Sequence, residues 1–196
     1  MKIGLYFGSF NPIHIGHLIV ANHVLNETRI DKVWLVVSPQ NPFKESKTLL
    51  NEFDRLHLVR LAVEDDNRLK ASDIEFSLPK PSYTSNTLMF LSEKYPDHEF
   101  SIIMGSDSFQ NIKKWKNADS IINIYPILVY KRLGFEILDD HIKSPIILNA
   151  PIIEVSASQI RENIRLGKSI RYLVPEIIRE EIETRQFYKQ KKDQNI

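Results

Sequence analysis

The sequence predicts an α/β protein built on a doubly wound parallel sheet with helices on both faces. Apolar runs alternate with amphipathic segments along most of the chain, which is the pattern of repeated strand–helix units. The apolar runs are continuous rather than alternating, and this indicates strands buried on both faces. In such a sheet, ligands bind beyond the carboxyl ends of the strands, at the point where the strand order reverses.

The predicted elements of the first half follow this alternation. Strands are predicted at 2–7, 33–37 and about 69–71, with helices at 16–28 and 51–65. Both helices carry apolar residues at the spacing of a single helical face. The residues of the second helix that are expected to face the core are Phe53, Leu56, Val59, Leu61 and Ala62.

The second half continues the same alternation. Strands are predicted at 100–104, 127–130 and 146–148. The segment 106–124 is expected to be mostly helical. Thr84 is the expected N-cap of a helix over 85–95, because its hydroxyl can accept a hydrogen bond from the first helical turn.

Two more helices are predicted near the C-terminus. Ser156 or Ser158 is the expected cap of a helix that runs to Leu166, and Gly167 would end that helix. The last helix begins near Pro175, since proline is favoured in the first helical turn.

Length and composition favour one soluble domain. The chain has 196 residues and a formal net charge of +1, so no strong field draws it to nucleic acid or membranes. It has no cysteine, which excludes disulfides and cysteine nucleophiles and fits a cytoplasmic location. We expect a single domain over residues 1–188 and a polar tail at 189–196. No signal peptide or membrane-spanning run is expected.

The segment 8–18, Gly-Ser-Phe-Asn-Pro-Ile-His-Ile-Gly-His-Leu, is the most informative stretch. It follows the first predicted strand and places His14 and His17 three residues apart at the start of a helix. Gly8 and Gly16 permit a close approach of the backbone, and a helix N-terminus offers N–H groups and partial positive charge. We therefore predict a site for a nucleotide phosphate; the alternative is a glycine turn with two structural histidines.

This segment resembles the His-x-Gly-His signature of the nucleotidylyltransferase superfamily, and class I aminoacyl-tRNA synthetases carry a related His-Ile-Gly-His. A second segment, Val-Ser-Ala-Ser-Gln-Ile-Arg at 155–161, resembles the Ile-Ser-x-Thr/Ser-x-Ile-Arg signature of the same superfamily. The resemblance implies a Rossmann-like sheet of the His-x-Gly-His type. Two hydroxyls and a guanidinium at a helix start suit the binding of phosphate.

Further segments resemble the nicotinate-nucleotide adenylyltransferases. Asn-Pro-Phe-Lys at 41–44 is similar to their Pro-Pro-His-Lys loop, and Ser-Tyr-Thr-Ser-Asn-Thr-Leu at 82–88 to their Ser-Tyr-Thr-x-x-Thr-Leu segment. Gly-Ser-Asp-Ser at 105–108 is similar to their Gly-x-Asp segment, and Lys-Arg at 131–132 to their basic pair. The resemblance extends from residue 3 to about residue 166.

The resemblance implies roles for particular residues. The implied catalytic residues, which would donate hydrogen bonds to phosphate oxygens in the transition state, are His14, His17 and Arg161. The implied ATP-binding residues are Gly8, Ser9, Phe10, Gly16, Gly105, Asp107, Ser156 and Ser158. The implied substrate-binding residues are Asn11, Lys44, Tyr83, Thr84, Trp115 and Arg132. No dedicated metal site is expected, because ATP would carry Mg²⁺ on its phosphates.

The physical character of these residues fits a nicotinate ring, which is flat, aromatic and anionic. Trp115 could stack on the ring, and backbone N–H groups near Tyr83 and Thr84 could hold its carboxylate. The alternatives are a half-buried packing residue at Trp115 and an ordinary helix cap at Thr84.

The implied reaction is the transfer of AMP from ATP to nicotinate mononucleotide, which yields nicotinate adenine dinucleotide and pyrophosphate. The nearest alternative is the same chemistry on nicotinamide mononucleotide, or on both. A non-catalytic nucleotide sensor is the alternative of another class. ATP and nicotinate mononucleotide are thus the expected partners, and a homo-oligomer is possible.

Overall fold

The structure is a computed structural model that describes residues 1–39, 49–137 and 145–189. The strands of the described part are β1 (Lys2–Gly8), β2 (Lys32–Val37), β3 (Leu69–Ser72), β4 (Glu99–Gly105), β5 (Ile127–Tyr130) and β6 (Ile146–Leu148). The α-helices of the described part are α1 (Ile15–Glu27), α2 (Glu52–Val63), α3 (Thr84–Lys94), α4 (Ser106–Phe109), α5 (Ala118–Ile124), α6 (Ala157–Arg165) and α7 (Glu176–Thr184). Short 3₁₀ helices span Ile74–Ser77 and Ile112–Lys114.

All six strands pair in parallel in one sheet of order β3-β2-β1-β4-β5-β6. The chain begins at the centre, moves outward through β2 and β3, and returns to the other side of β1 with β4. The strand order therefore reverses between β1 and β4, and a crevice forms beyond their carboxyl ends. This order confirms the predicted doubly wound α/β fold.

Two apolar cores lie on opposite faces of the sheet, because successive side chains of a strand point in opposite directions. In β2, Val33, Leu35 and Val37 belong to one core, and Trp34 and Val36 belong to the other. The first core includes buried side chains of α1, α2, α6 and α7, and the second includes those of α3, α4 and α5. The sheet is thus buried on both faces, as the continuous apolar runs predict.

Helix α2 shows one wrong prediction about the core. Phe53 was expected to face inward, but its side chain is 65% exposed and contacts the ring of Phe76 edge-on. Seven residues make nearly two full helical turns, so Phe53 shares the outer face with the exposed Arg60. The inner face instead includes Arg55, which is completely buried.

The segment predicted to be mostly helical at 106–124 is divided into three short pieces. Trp115 is extended after the 3₁₀ turn, and Asn117 has a left-handed backbone at φ 56° before α5 begins. No continuous helix can pass through two such residues. The interruption brings Trp115 to the crevice at the end of β4.

The predicted helix ends are partly confirmed. Ser156 caps α6 by accepting a hydrogen bond from the N–H of Gln159 at 3.2 Å, and Gly167 follows that helix with a left-handed φ of 67°. Thr84, however, is the first residue of α3 rather than its cap. Tyr83 occupies the cap position and makes no side-chain cap hydrogen bond.

None of the helices in the described part of the chain is long and apolar enough to span a membrane. The predicted tail residues 190–196 and the predicted substrate residue Lys44 lie outside the described residues. The other residues of the segment 41–44, which resembles the Pro-Pro-His-Lys loop, also lie outside the described residues.

Candidate active site

A cavity of about 410 Å³ opens at the carboxyl ends of β1 and β4. This volume lies within the ~300–1,000 Å³ range that is usual for small-molecule sites. The predicted site residues that line it are Gly8, Ser9, Phe10, Asn11, His14, His17, Tyr83, Thr84, Gly105, Asp107, Trp115, Arg132, Ser156, Ser158 and Arg161. The structure thus brings together residues from distant parts of the sequence, and their roles stay predictions.

A second cavity of about 330 Å³ adjoins the first and shares His14, His17 and Arg132 with it. Gly16 lines this second cavity rather than the first. A Cβ atom on Gly16 would lie 3.1 Å from Nδ1 of His14. The glycine therefore provides room for the His14 ring as well as for a ligand.

The loop after β1 has an unusual backbone at Phe10, whose φ is +44°. The ring of Phe10 is buried, and it lies so close to Gly8 that a Cβ there would be 2.9 Å from a ring atom. Its centroid is 5.0 Å from that of the His17 ring. Since a left-handed φ costs a bulky residue free energy, contacts on all sides of the loop must hold it in place.

His14 and His17 form a stacked pair at the start of α1. Their ring centroids are 3.7 Å apart and their planes are inclined by 28°. The backbone N–H of His14 donates a hydrogen bond to Nδ1 of His17 at 3.2 Å. Because Nδ1 accepts this bond, the proton of the neutral His17 ring is on Nε2.

His14 is buried, and its charge state follows from this burial. Burial and, to a smaller extent, the positive charge of Arg132 together lower the pKa of His14 from 6.5 to about 4. His14 is therefore neutral at pH 7. A neutral imidazole still donates one hydrogen bond, but it brings no full positive charge to a phosphate.

Arg161 crosses from α6 to the loop after β1. Its Nη1 donates to the carbonyl of Asn11 at 2.7 Å, and its Nη2 donates to Oγ of Ser158 at 3.2 Å. The side-chain oxygen of Asn11 accepts from the N–H of Leu50 at 3.2 Å. Asn11 therefore connects three segments of the chain at the wall of the cavity.

Arg132 and Asp107 form a charged pair that also lines the cavity. Nη1 of Arg132 lies 3.4 Å from Oδ2 of Asp107, and the N–H of Arg132 donates to Oγ of Ser106 at 2.9 Å. A Cβ on Gly105 would collide with the Asp107 carboxylate and with the Arg132 side chain. Glycine at position 105 thus leaves room for these two side chains to meet beside the end of β4.

The residues predicted for nicotinate line another part of the same cavity. Tyr83 and Thr84 lie at the N-terminus of α3, and Trp115 lies in the extended segment before α5. Lys116, which the sequence motifs do not single out, also lines the cavity, with Nζ 4.6 Å from the centroid of the Tyr83 ring. The cavity therefore offers an aromatic ring, a helix N-terminus and a lysine cation together.

Glu75 is a cavity residue that sequence reasoning missed. Its carboxyl group is buried, and Oε1 accepts a hydrogen bond from the hydroxyl of Thr87 at 2.9 Å. Burial raises the pKa of Glu75, while hydrogen bonds from neighbouring hydroxyls act in the opposite direction. A 3₁₀ turn has no hydrophobic periodicity, so the sequence gives no signal that this glutamate is internal.

The described part of the chain contains no group of three or more histidine, cysteine, aspartate and glutamate side chains that could hold a metal ion.

The fold and the histidine pair define a nucleotidyltransferase, and the comparison with protein families agrees. The model of the cytidylyltransferase-like family matches residues 5–163, which is most of the chain. The chain is also 52% identical to a probable nicotinate-nucleotide adenylyltransferase of Flavobacterium psychrophilum, over 96% of its own length and 100% of that protein. It is 49% identical to the protein of the same name from Cytophaga hutchinsonii, over 96% of this chain and 98% of that one. The chain therefore belongs to the nicotinate-nucleotide adenylyltransferases within the cytidylyltransferase-like family.

The solved structures support the fold independently. Nicotinic acid mononucleotide adenylyltransferase from Plasmodium falciparum, complexed with NaAD, superposes with a TM-score of 0.83 at 20% identity, over 95% of this chain and 97% of that one. The structure of a Vibrio parahaemolyticus protein assigned as a nicotinate-nucleotide adenylyltransferase gives a TM-score of 0.72 at 21% identity, over 93% of this chain and 98% of that one. These two structures thus confirm the predicted fold.

Proposed function

We propose that the protein transfers AMP from ATP to nicotinate mononucleotide, releasing nicotinate adenine dinucleotide and pyrophosphate. The observation that carries this proposal is full-length similarity to relatives named for this activity, the first at 52% identity. The cavity supports it, because phosphate-binding groups and groups suited to a nicotinate ring line one continuous space.

In this reaction an oxygen of the 5′-phosphate of nicotinate mononucleotide forms a bond to the α-phosphorus of ATP. The bond from that phosphorus to the bridging oxygen breaks, and pyrophosphate leaves with the electron pair. The attacking phosphate is already an anion at neutral pH, so no protein base is needed. Catalysis then consists mainly of positioning the two phosphates and stabilising charge.

Three side chains stabilise that charge. Nε2–H of His17 and an N–H of the neutral His14 donate to phosphate oxygens as negative charge develops in the transition state. Arg161, anchored by its hydrogen bond to the Asn11 carbonyl, provides the positive charge. Ser156 and Ser158 lie at the N-terminus of α6, where they hold the leaving pyrophosphate with support from the helix dipole.

The nucleoside of ATP occupies the second cavity, which lies beyond His14 and His17. Apolar side chains of Leu133, Phe135 and Ile152 line this cavity. Such a lining suits the flat face of a base. Mg²⁺ comes with the ATP phosphates, since Mg²⁺ in nucleotide sites keeps several waters and takes few protein ligands.

Nicotinate lies at the other end of the first cavity. Its ring stacks on Trp115, and its carboxylate meets backbone N–H groups at the N-terminus of α3, near Tyr83 and Thr84. Lys116 adds a positive charge beside that carboxylate. These groups favour the acid over the amide, because the amide places an N–H₂ group opposite other donors.

The experiment is a pyrophosphate-release assay with ATP and Mg²⁺, run in parallel with nicotinate mononucleotide and nicotinamide mononucleotide. We expect turnover with a clear preference for the acid and a dinucleotide product that chromatography identifies. A His17→Ala preparation, purified identically, controls for contaminating activity. Preference for the amide would contradict the substrate, and absence of release with both would contradict the activity.

A further inference from the structure

Arg55 of α2 is completely buried and donates to four backbone carbonyls. Its Nε bonds the carbonyl of Leu50 at 2.8 Å, and its Nη2 bonds that of Pro39 at 3.0 Å. Its Nη1 bonds the carbonyls of Ser9 at 2.6 Å and Ser38 at 2.8 Å. One guanidinium thus joins the loop after β1, the end of β2 and the start of α2.

This arrangement leaves a buried positive charge without a carboxylate in contact. Among the described residues, Arg55 forms no ion pair, and the nearby Glu52 carboxylate is bonded to Lys80 at 2.7 Å instead. Burial lowers the pKa of Arg55, yet arginine stays protonated in proteins. Among the described residues, only carbonyl oxygens contact the guanidinium, and the Glu52 carboxylate acts on its charge from beyond contact distance. The positive charge therefore lies directly against the loop after β1.

The hydrogen bond to Ser9 also fixes the direction of the next peptide group. The Ser9–Phe10 peptide bond is not among the cis bonds of the chain, so it is trans, and its C=O and N–H point in opposite directions. The carbonyl points to Arg55. The N–H of Phe10 therefore points away from Arg55, and both Ser9 and Phe10 line the cavity.

We propose that Arg55 is a positioning residue for ATP: it holds the loop after β1 so that the N–H of Phe10 and a buried positive charge face the phosphates. This proposal rests on the proposed function for the identity of the nucleotide. Arg55 touches no substrate and acts through the Ser9–Phe10 peptide. It also maintains the left-handed backbone of Phe10, which no local preference favours.

The test compares Arg55→Lys with Val59→Ala, a buried control on the same helix that has no place in the cavity lining. Lysine keeps the charge but has three donors in place of the guanidinium fork, so it cannot bond all four carbonyls. We expect the affinity for ATP, measured by calorimetry without the second substrate, to fall about 10–100-fold in Arg55→Lys. The KM for nicotinate mononucleotide should change less than about twofold.

Val59→Ala should lower the thermal midpoint while leaving both constants near the wild-type values. If Arg55→Lys also lowered only the thermal midpoint and bound ATP normally, the positioning role would be wrong. Arg55→Ala offers a second readout, because millimolar guanidinium should restore part of its ATP affinity. Failure of guanidinium to rescue a folded Arg55→Ala protein would likewise count against the proposal.

A measurement on the wild-type protein keeps the proposal testable even if the variants do not fold. In ¹⁵N-labelled protein, ATP should shift the amide proton resonance of Phe10, and inorganic pyrophosphate should shift it in the same direction. An unchanged Phe10 resonance at saturating ATP would overturn the proposal. Because ATP alone is used, failure of the proposed reaction with nicotinate mononucleotide would not affect this result.

Discussion

The backbone N–H of His14 donates to Nδ1 of His17, and the two imidazole rings are stacked with their centroids 3.7 Å apart. The hydrogen bond from His14 thus leaves the ring N–H of His17 on Nε2. Two protonated rings at this distance would repel each other, and burial already keeps His14 neutral at pH 7. In the proposed reaction, His14 therefore contributes a directed hydrogen bond rather than a charge.

His17→Ala is expected to reduce turnover far more than ATP affinity. Loss of one transition-state donor costs about 2.7–4 kcal/mol, or roughly 10²–10³ in kcat. Steady-state kinetics gives kcat, and calorimetry gives the dissociation constant of ATP. His23→Ala, on the same helix and outside the cavity lining, is the control and should behave like the wild type. Near-normal turnover in His17→Ala would remove His17 from the catalytic group.

The stability of the protein should fall as the pH falls from about 6.5 to about 4, in part because of His14. Its pKa is 6.5 when unperturbed and about 4 in the folded protein, so in this window the unfolded chain binds the proton first. The free energy of unfolding therefore increases with pH up to about 6.5. At about 1.4 kcal/mol per pKa unit, the contribution of His14 is about 3 kcal/mol.

The comparison is urea unfolding of the wild type and of His14→Gln at several pH values. Glutamine does not titrate, so the variant should lose less stability than the wild type on acidification. Above pH 6.5 the difference between the two proteins should be constant. Parallel curves over the whole range would show that His14 titrates normally in the folded protein.

Trp115→Ala is expected to raise the KM for nicotinate mononucleotide about tenfold while lowering kcat much less, since stacking on an aromatic ring contributes about 1–3 kcal/mol. Trp115→Phe keeps a flat ring and should recover most of the affinity. Steady-state kinetics at saturating ATP measures both constants. An unchanged KM in Trp115→Ala would show that this side chain serves packing alone.

Lys116→Glu should weaken discrimination between the acid and the amide. The Lys116 ammonium is 4.6 Å from the Tyr83 ring, beside the proposed carboxylate site, and it is exposed. Screening by solvent limits the expected increase in KM for nicotinate mononucleotide to about 3–10-fold, with a smaller effect at high salt. Lys168→Glu changes the net charge equally on a distant exposed surface, and it should leave the ratio of the two substrates unaltered.

Sequence patterns predicted most of the fold because strands and helices of this chain differ in hydrophobic period. The bounds of β2, α2 and β5 were predicted within about two residues. The pattern failed at Phe53, where an aromatic residue lies in the first helical turn before the buried face begins. It also failed at Asn117, because a single left-handed residue leaves no trace in hydrophobic periodicity.

The candidate site was predicted from motifs, which report residues that face a ligand. Arg55 and Glu75 belong to no such motif, yet both are buried beside the cavity or its loop. The sequence does indicate that Arg55 is internal, because this charged residue lies four positions before Val59 and so shares the apolar face of α2 with it. Such a residue in an apolar stripe is a reason to expect an internal hydrogen-bonding role.

The two cores on opposite faces of the sheet have a consequence for how this protein can change. Helices α1 and α6, which carry the groups proposed for phosphate chemistry, pack in one core. Helices α3 and α5, which flank the proposed nicotinate site, pack in the other. Substitutions in the core that contains α3 and α5 can therefore accumulate without moving α1 and α6. This architecture permits specificity for a new substrate that accepts the adenylyl group to evolve, while the transfer of that group is retained.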